Sequence, residues 1–302
     1  MSRRRLFLYS LLLILGINYG AFYTVNRLAA DAGIPPIAYA FWQSLGAAIV
    51  LVVAALARGD RLGLSRAHIV SYLVIGPLAL GIPVSLLTFV APNLPAGALT
   101  LVLALNPPIT YGLSMLFGVD RFRSLVLAGL TFGLMGVAMI VGPSATLGGP
   151  GKGGWYLLGL IAPVLIGSSN VAAAILRPPV ASSLSMSAGV MLGAALPLLP
   201  TMLIAGQGWE PVGASIDALI PLIAAIAVNC IGYVLFFEVV RMAGPTFFSQ
   251  FSYFAVLAGI AWSNLVLGER PSAYLVVAML LMFMGMFTAG YRLDAPRHTL
   301  KT

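Results

Sequence analysis

The chain has 302 residues, of which 60% are apolar and only 8% charged, and its formal net charge is +8. A water-soluble domain carries about 45–50% apolar and about 25% charged residues, so these charges are too few to clothe a surface in water. A soluble enzyme, a secreted disulfide scaffold and a disordered chain are excluded, and an integral membrane protein remains.

A helix needs roughly 20 mostly apolar residues to cross about 30 Å of hydrocarbon. Ten stretches qualify: 6–26, 35–57, 69–91, 96–117, 123–142, 155–176, 184–206, 218–240, 246–268 and 272–291. Runs such as Leu11-Leu12-Leu13-Ile14-Leu15 are apolar on every face and lack the alternation of a barrel strand. Arg3-Arg4-Arg5 precedes the first stretch. That apolar run is longer than a signal peptide's, and no small-residue cleavage site follows, so a retained first helix is expected.

The third span carries Pro77, Gly81 and Pro83 and is expected to bend. The fourth carries Asn106-Pro107-Pro108 near its middle. Two prolines deprive the carbonyls of Leu103 and Ala104 of their helical partners. Freed carbonyls at that depth are tolerated where they line a cavity or meet another helix. Pro83, Pro107 and Pro108 are therefore candidate gating breaks. The eighth span holds the single cysteine, Cys230, which makes neither an intrachain disulfide nor a zinc site, and no metal or cofactor is expected. It also holds Glu238, with Arg241 at i+3 as its natural ion-pair partner.

With the N-terminus inside, thirteen of the sixteen Lys and Arg fall at cytoplasmic ends, leaving Arg27, Lys152 and Arg270 outside. Ten spans return the C-terminus inside, as expected of a multi-pass inner (plasma) membrane protein. The net charge reports topology. Scattered over many short loops, it makes no nucleic-acid surface.

The chain divides at a Gly-rich stretch, 148–154. Lys152 is followed by Gly153 where a phosphate loop needs Ser or Thr, so a flexible linker is the reading. The two sides match in one register. Leu45-Gly46-Ala47-Ala48 recurs at Leu192-Gly193-Ala194-Ala195, Asp120-Arg121 at Glu269-Arg270, Met135-Gly136 at Met284-Gly285, and Asn18 at Asn170. The expected architecture is all-α: ten transmembrane helices as two five-helix repeats, 1–147 and 155–302. Five is odd, so the second repeat crosses the membrane inverted, an arrangement of transporters whose substrate site lies near the midplane between the halves.

Intramembrane ionisable residues mark function by default. Apart from Glu238, near one end of its span, this chain places none there. Ser168-Ser169 has no base partner, paired-Asp motifs are absent, and no enzyme is expected. Uncharged polar groups remain. Asn18, Gln43, Asn106, Asn170, Asn229 and Gln250 lie within spans, where each amide must face protein, water or substrate. Tyr111, Tyr233 and Tyr253 add aromatic faces with a polar tip. These nine are the candidate substrate-binding residues. For any one of them, ordinary helix–helix bonding or packing is the competing reading.

The pattern resembles the drug/metabolite transporter superfamily in its ten-helix EamA form. Two five-helix repeats, both termini inside, Pro107 within the fourth helix and Leu267-Gly268-Glu269 closing the ninth carry the likeness. Val119-Asp120 departs from the Gly-Glu ending in the first repeat. The resemblance implies export of small metabolites across a lipid bilayer, and within the family the aromatic amino acid exporters are the most similar branch. A site of amides, backbone carbonyls and aromatic faces, without fixed charge, suits a neutral or zwitterionic molecule such as an amino acid. A cationic drug exporter is the alternative, with Glu238 as its only acidic candidate.

Overall fold

The computed structural model describes residues 3–90, 93, 105–141, 153–179 and 181–268, with 277, 280, 281, 283–285 and 288. Among these every regular element is helical. In chain order they are α1 (Arg3–Asp31), α2 (Pro36–Ala57), α3 (Arg66–Gly76), a π-helical turn (Pro77–Gly81), α4 (Ile82–Val90) and α5 (Asn106–Leu116). After them come α6 (Ser124–Val141), α7 (Gly153–Ile175), α8 (Ser183–Ile204), α9 (Ile216–Ala243), α10 (Pro245–Ser249) and α11 (Phe251–Leu267).

Among the described residues six helices are long and apolar enough to cross a membrane: Leu6–Asp31, Pro36–Ala57, Arg66–Leu87, Gly153–Ile175, Ser183–Ile204 and Ile216–Ala243. Ser124–Gly136 is apolar but shorter. The expected ninth span is not one helix, because it is interrupted at Gln250 between α10 and α11. The first half of the expected fourth span, most of the tenth, and the linker up to Lys152 lie outside the described residues.

Local chemistry explains the interruptions. Pro77 and Pro83 lack N–H groups, and the α3–α4 helix accommodates them with a π turn in which the Ile82 N–H reaches back to the Pro77 carbonyl. Pro107 and Pro108 occupy the first turn of α5, where a missing N–H costs no helical bond. The carbonyls of Leu103 and Ala104 lie outside the described residues. Between α9 and α10, Gly244 sits at φ 91°, which a side chain would oppose, and Pro245 restarts the helix.

Small residues let the helices approach. Gly16 lies against Phe254, and Gly20 against Ala258 and Gly259, joining α1 to α11. Gly76 meets the backbone of Val190, Gly193 and Ala194, while Gly193 meets the Tyr72 carbonyl, joining α3 to α8. Gly285 abuts the backbone of Gly129 and Gly133 on α6. Ala47 and Ala48 on α2, and Ala194 and Ala195 on α8, the two copies of the repeated tetrapeptide, are buried in one core.

Contacts across the bundle define two ends. Tyr9, Phe247, Glu238 and the α7–α8 loop share the end where α1 begins. At the other end the α8–α9 loop covers the start of α2. Gln207 Oε1 accepts the Ile37 N–H at 3.0 Å, and the Trp42 indole donates to the Trp209 carbonyl at 2.6 Å.

Candidate functional site

The six span amides are all poorly exposed, and the structure sorts them into separate groups. Asn106, Thr110 and Asn170 form a chain between α5 and α7. Asn170 Nδ2 donates to Thr110 Oγ1 at 3.1 Å, and Thr110 donates onward to Asn106 Oδ1 at 3.2 Å. Asn106, Thr110 and Asn170 are 5%, 0% and 3% exposed, so the chain is withdrawn from bulk solvent and from lipid. Gly167, one turn before Asn170, opens the space for Ile109 and Thr110.

A second group joins α2 to α9, where Asn229 Nδ2 donates to Gln43 Oε1 at 2.9 Å. The Asn229 Oδ1 is buried and has no hydrogen-bond partner among the described residues. On the preceding residue, the Val228 carbonyl accepts from Asn18 Nδ2 at 2.9 Å, tying α1 to the same turn of α9. Gln250 stands apart, buried at the α10–α11 break, its Oε1 also unpartnered among the described residues.

Breaking the Gln43–Asn229 pair has a predictable signature. Gln43→Met or Asn229→Leu alone strands a buried amide and should lower stability by roughly 0.6–2 kcal/mol. Combining them removes both polar partners, so the double variant should melt no lower than the worse single. Additive losses in a double-mutant thermal series would show that the pair is not a closed unit.

The aromatic candidates separate too. Tyr233 stacks edge-on to Phe236, and contacts continue through Phe248 and Phe251 to Tyr19, with ring centroids 4.6–5.9 Å apart. Tyr253 lies over Gly133, and its hydroxyl donates to the Leu130 carbonyl of α6 at 3.2 Å. The Tyr111 hydroxyl accepts the Arg123 N–H at 2.6 Å and donates to the Arg121 carbonyl at 3.2 Å. Tyr111 thus holds the α5–α6 loop and Tyr253 braces α6, and neither joins the amide groups.

Charge gathers at the end where α1 begins. Glu238 pairs with Arg241 at 2.6 Å, as the i+3 spacing predicts, and its other oxygen accepts from Ser183 Oγ at 2.5 Å. Arg177, read from sequence only as a topology marker, reaches into this cluster. It donates to the Phe237 carbonyl and the Ala181 carbonyl, both at 2.8 Å, and to Ser183 Oγ at 3.0 Å. Burial pulls the Arg177 guanidinium below its ordinary range, and the neighbouring Glu238 carboxylate works against that shift. It stays charged at any physiological pH. The cluster joins α7, α8 and α9 and leaves Glu238 already engaged.

Two residues that sequence reading passed over matter here. Thr110 links the two asparagines, and its i+4 spacing from Asn106 placed it on the same helix face. Asp120, noted as half of a repeat match and as a departure from the Gly-Glu ending, accepts from Thr246 Oγ1 at 2.6 Å. No group of three or more His, Cys, Asp or Glu suited to a metal ion occurs among the described residues.

The sequence pattern of the EamA-like transporter family matches twice, over residues 6–142 and 153–291. No curated protein matches the chain. A solved structure described only as the crystal structure of a protein is 18% identical, with a TM-score of 0.74, covering 95% of this chain and 99% of that one. At that identity the likeness speaks for the fold alone. The twofold match takes in nearly the whole chain, and the chain therefore belongs to the EamA-like transporter family, multi-pass membrane transporters of small molecules and not enzymes.

Proposed function

We propose that this transporter exports small neutral or zwitterionic metabolites, amino acids with apolar or aromatic side chains foremost, across the inner membrane. In this reading residues 1–147 and 155–302 are inverted five-helix repeats joined by the linker 148–154, with both termini cytoplasmic. Alternating access proceeds through a central site between the repeats, flanked by Asn106, Thr110 and Asn170 on one side and Gln43 and Asn229 on the other.

The observation that carries the reading is a buried set of amides bonded across helices, with no fixed charge among them. A zwitterion's two charges can be met there by amide donors and acceptors and by backbone groups. The unpartnered Asn229 Oδ1 is an acceptor of the kind an ammonium group needs. The aromatic run from Tyr233 to Tyr19 supplies faces for an apolar or aromatic side chain. This also supports the likeness to the family's aromatic amino acid exporters.

Export of organic cations is the second reading, and Glu238 is its only acidic candidate in a span. That carboxylate is already bridged by Arg241 and Ser183, which weakens the case.

Counterflow in proteoliposomes tests the proposal. Vesicles are preloaded with unlabelled phenylalanine, tryptophan, threonine, methionine or a cationic dye, and entry of labelled phenylalanine is followed without any ion gradient. Uptake driven by the preloaded aromatic amino acids is the expected result. Binding or uptake of the dye with no response to any amino acid would move the assignment to cation export and to Glu238. A pH-gradient requirement that persists after Glu238→Gln would rule out gradient-independent exchange.

A further inference from the structure

Below the Asn106–Thr110–Asn170 chain, toward the end where α1 begins, α5 carries another buried hydroxyl. Asn106, Thr110 and Ser114 are spaced i, i+4, i+8 and are all buried, so they form one polar stripe on one face of the helix. Thr110 Oγ1 and Asn106 Oδ1 are used by the chain, but Ser114 Oγ has no hydrogen-bond partner among the described residues. Besides α7, α5 packs against α10. At its start Thr246 bonds Asp120, six residues beyond Ser114. One turn later comes Gln250, 2% exposed, its Oε1 without a partner. Its backbone is helical, so it follows Thr246 on the same side of the segment.

Buried polar groups are nearly always bonded, and an unbonded one costs the full desolvation of that group. Two of them on packed elements, one on the α5 face of the amide chain and the other one turn beyond the hydrogen bond between α10 and the α5–α6 loop, need an explanation that packing does not supply. We propose that the α5–α10 seam is the closed leg of the transport path, and that Ser114 and Gln250 form a transit station for the ammonium end of a small amine or amino acid, latched shut by Asp120 and Thr246. Both free groups accept hydrogen bonds, as an N–H-rich end requires. The proposal rests on the transport reading above and deepens it by placing a second station outside the central site.

Site-directed labelling tests it. In a Cys230→Ala background, Ser114→Cys and Gln250→Cys are exposed to a charged, membrane-impermeant thiol reagent from each side of the membrane. Arg123→Cys in the α5–α6 loop marks which side is which. Labelling from the marked side should be slow with the latch intact. Asp120→Ala, and separately Thr246→Val, should speed it about tenfold from that side alone, the scale set by a hydrogen bond to a charged group. An unchanged rate in protein that stays monodisperse on gel filtration, or acceleration from the opposite side, would overturn the latch and the seam.

The chemical class is read in the Asp120→Ala background. Phenylalanine should slow labelling of Thr246→Cys, which keeps both Ser114 and Gln250, and 3-phenylpropionate, which lacks the amine, should not. Equal effects of the two, or no effect of either, would overturn the ammonium station. Latch-dependent labelling needs no substrate, so it separates the two readings. Its presence without amino acid counterflow leaves the seam as a path for another solute. Counterflow without it means that amino acids cross by another route.

Discussion

Gly193→Val is expected to be the most destructive single substitution in the described part of the bundle. A Cβ at position 193 would fall on the carbonyl carbon and oxygen of Tyr72, which belong to the α3 backbone. A side chain can rotate away, whereas a helix backbone moves only if α3 separates from α8. The Tyr72 ring also covers Gly189 one turn earlier, so the displaced helix finds no alternative seat nearby. Overpacking of this kind costs about 3 kcal/mol or more. The measurement is the monodisperse fraction by fluorescence-detected gel filtration, together with the melting temperature. Gly112→Ala is the control, because a Cβ there meets no atom of the described residues within 4 Å. It should keep or raise the melting temperature by removing a mid-helix glycine. If Gly193→Val melts with the wild type, α3 does not pack on α8 through this glycine.

Asn170→Leu is expected to cut counterflow about tenfold to a hundredfold while the protein remains folded. Leucine keeps the branched outline of asparagine, with somewhat more bulk, but donates nothing to Thr110. Thr110 then loses the group that fixes its hydroxyl toward Asn106, and two hydrogen bonds are compromised at once. Each is worth about 0.5–1.5 kcal/mol, and about 1.4 kcal/mol corresponds to a factor of ten. Asn18→Leu is the comparison. Asn18 bonds only a main-chain carbonyl of α9, which belongs to the helix ladder in any case. Its loss should change the rate by less than about fivefold. Equal defects in two well-folded variants would remove any special status from the α5–α7 chain.

The apolar runs were readable because hydrocarbon demands about 20 apolar residues in a row, a signal that needs no knowledge of neighbours. The Glu238–Arg241 pair was readable for the same reason, since i+3 contacts are local. Boundaries were less so. The first helix, expected over 6–26, runs over Arg3–Asp31, and the Arg27–Asp31 ion pair lies on its extension. The break at Gln250 left no trace, because no proline or glycine stands there.

Partners across the bundle were invisible. Nothing in the sequence says that Asn229 meets Gln43, or that Arg177 turns inward to the Phe237 carbonyl, since both depend on how helices are rotated against one another. Asn18 and Asn170 match in register between the halves, yet one bonds a backbone carbonyl and the other a threonine hydroxyl. A repeat in sequence does not carry equivalent bonding with it. Thr110 had the right spacing, but a threonine in a helix ordinarily bonds its own backbone, and that habit hid it.

The π turn at Pro77–Gly81 amounts to one surplus residue in an otherwise ordinary helix. One residue is about 100° of azimuth. Everything after Gly81 is therefore swung by more than a quarter turn relative to an unbroken rod. Before and within the turn, Gly76 and Gly81 are aimed at α8; after it, α4 packs chiefly on α7. A single helix can thus serve two neighbours that stand on different bearings. In length comparisons, a one-residue deletion in this segment is not a neutral shortening: it would turn the α7-facing side of α4 toward a different quadrant.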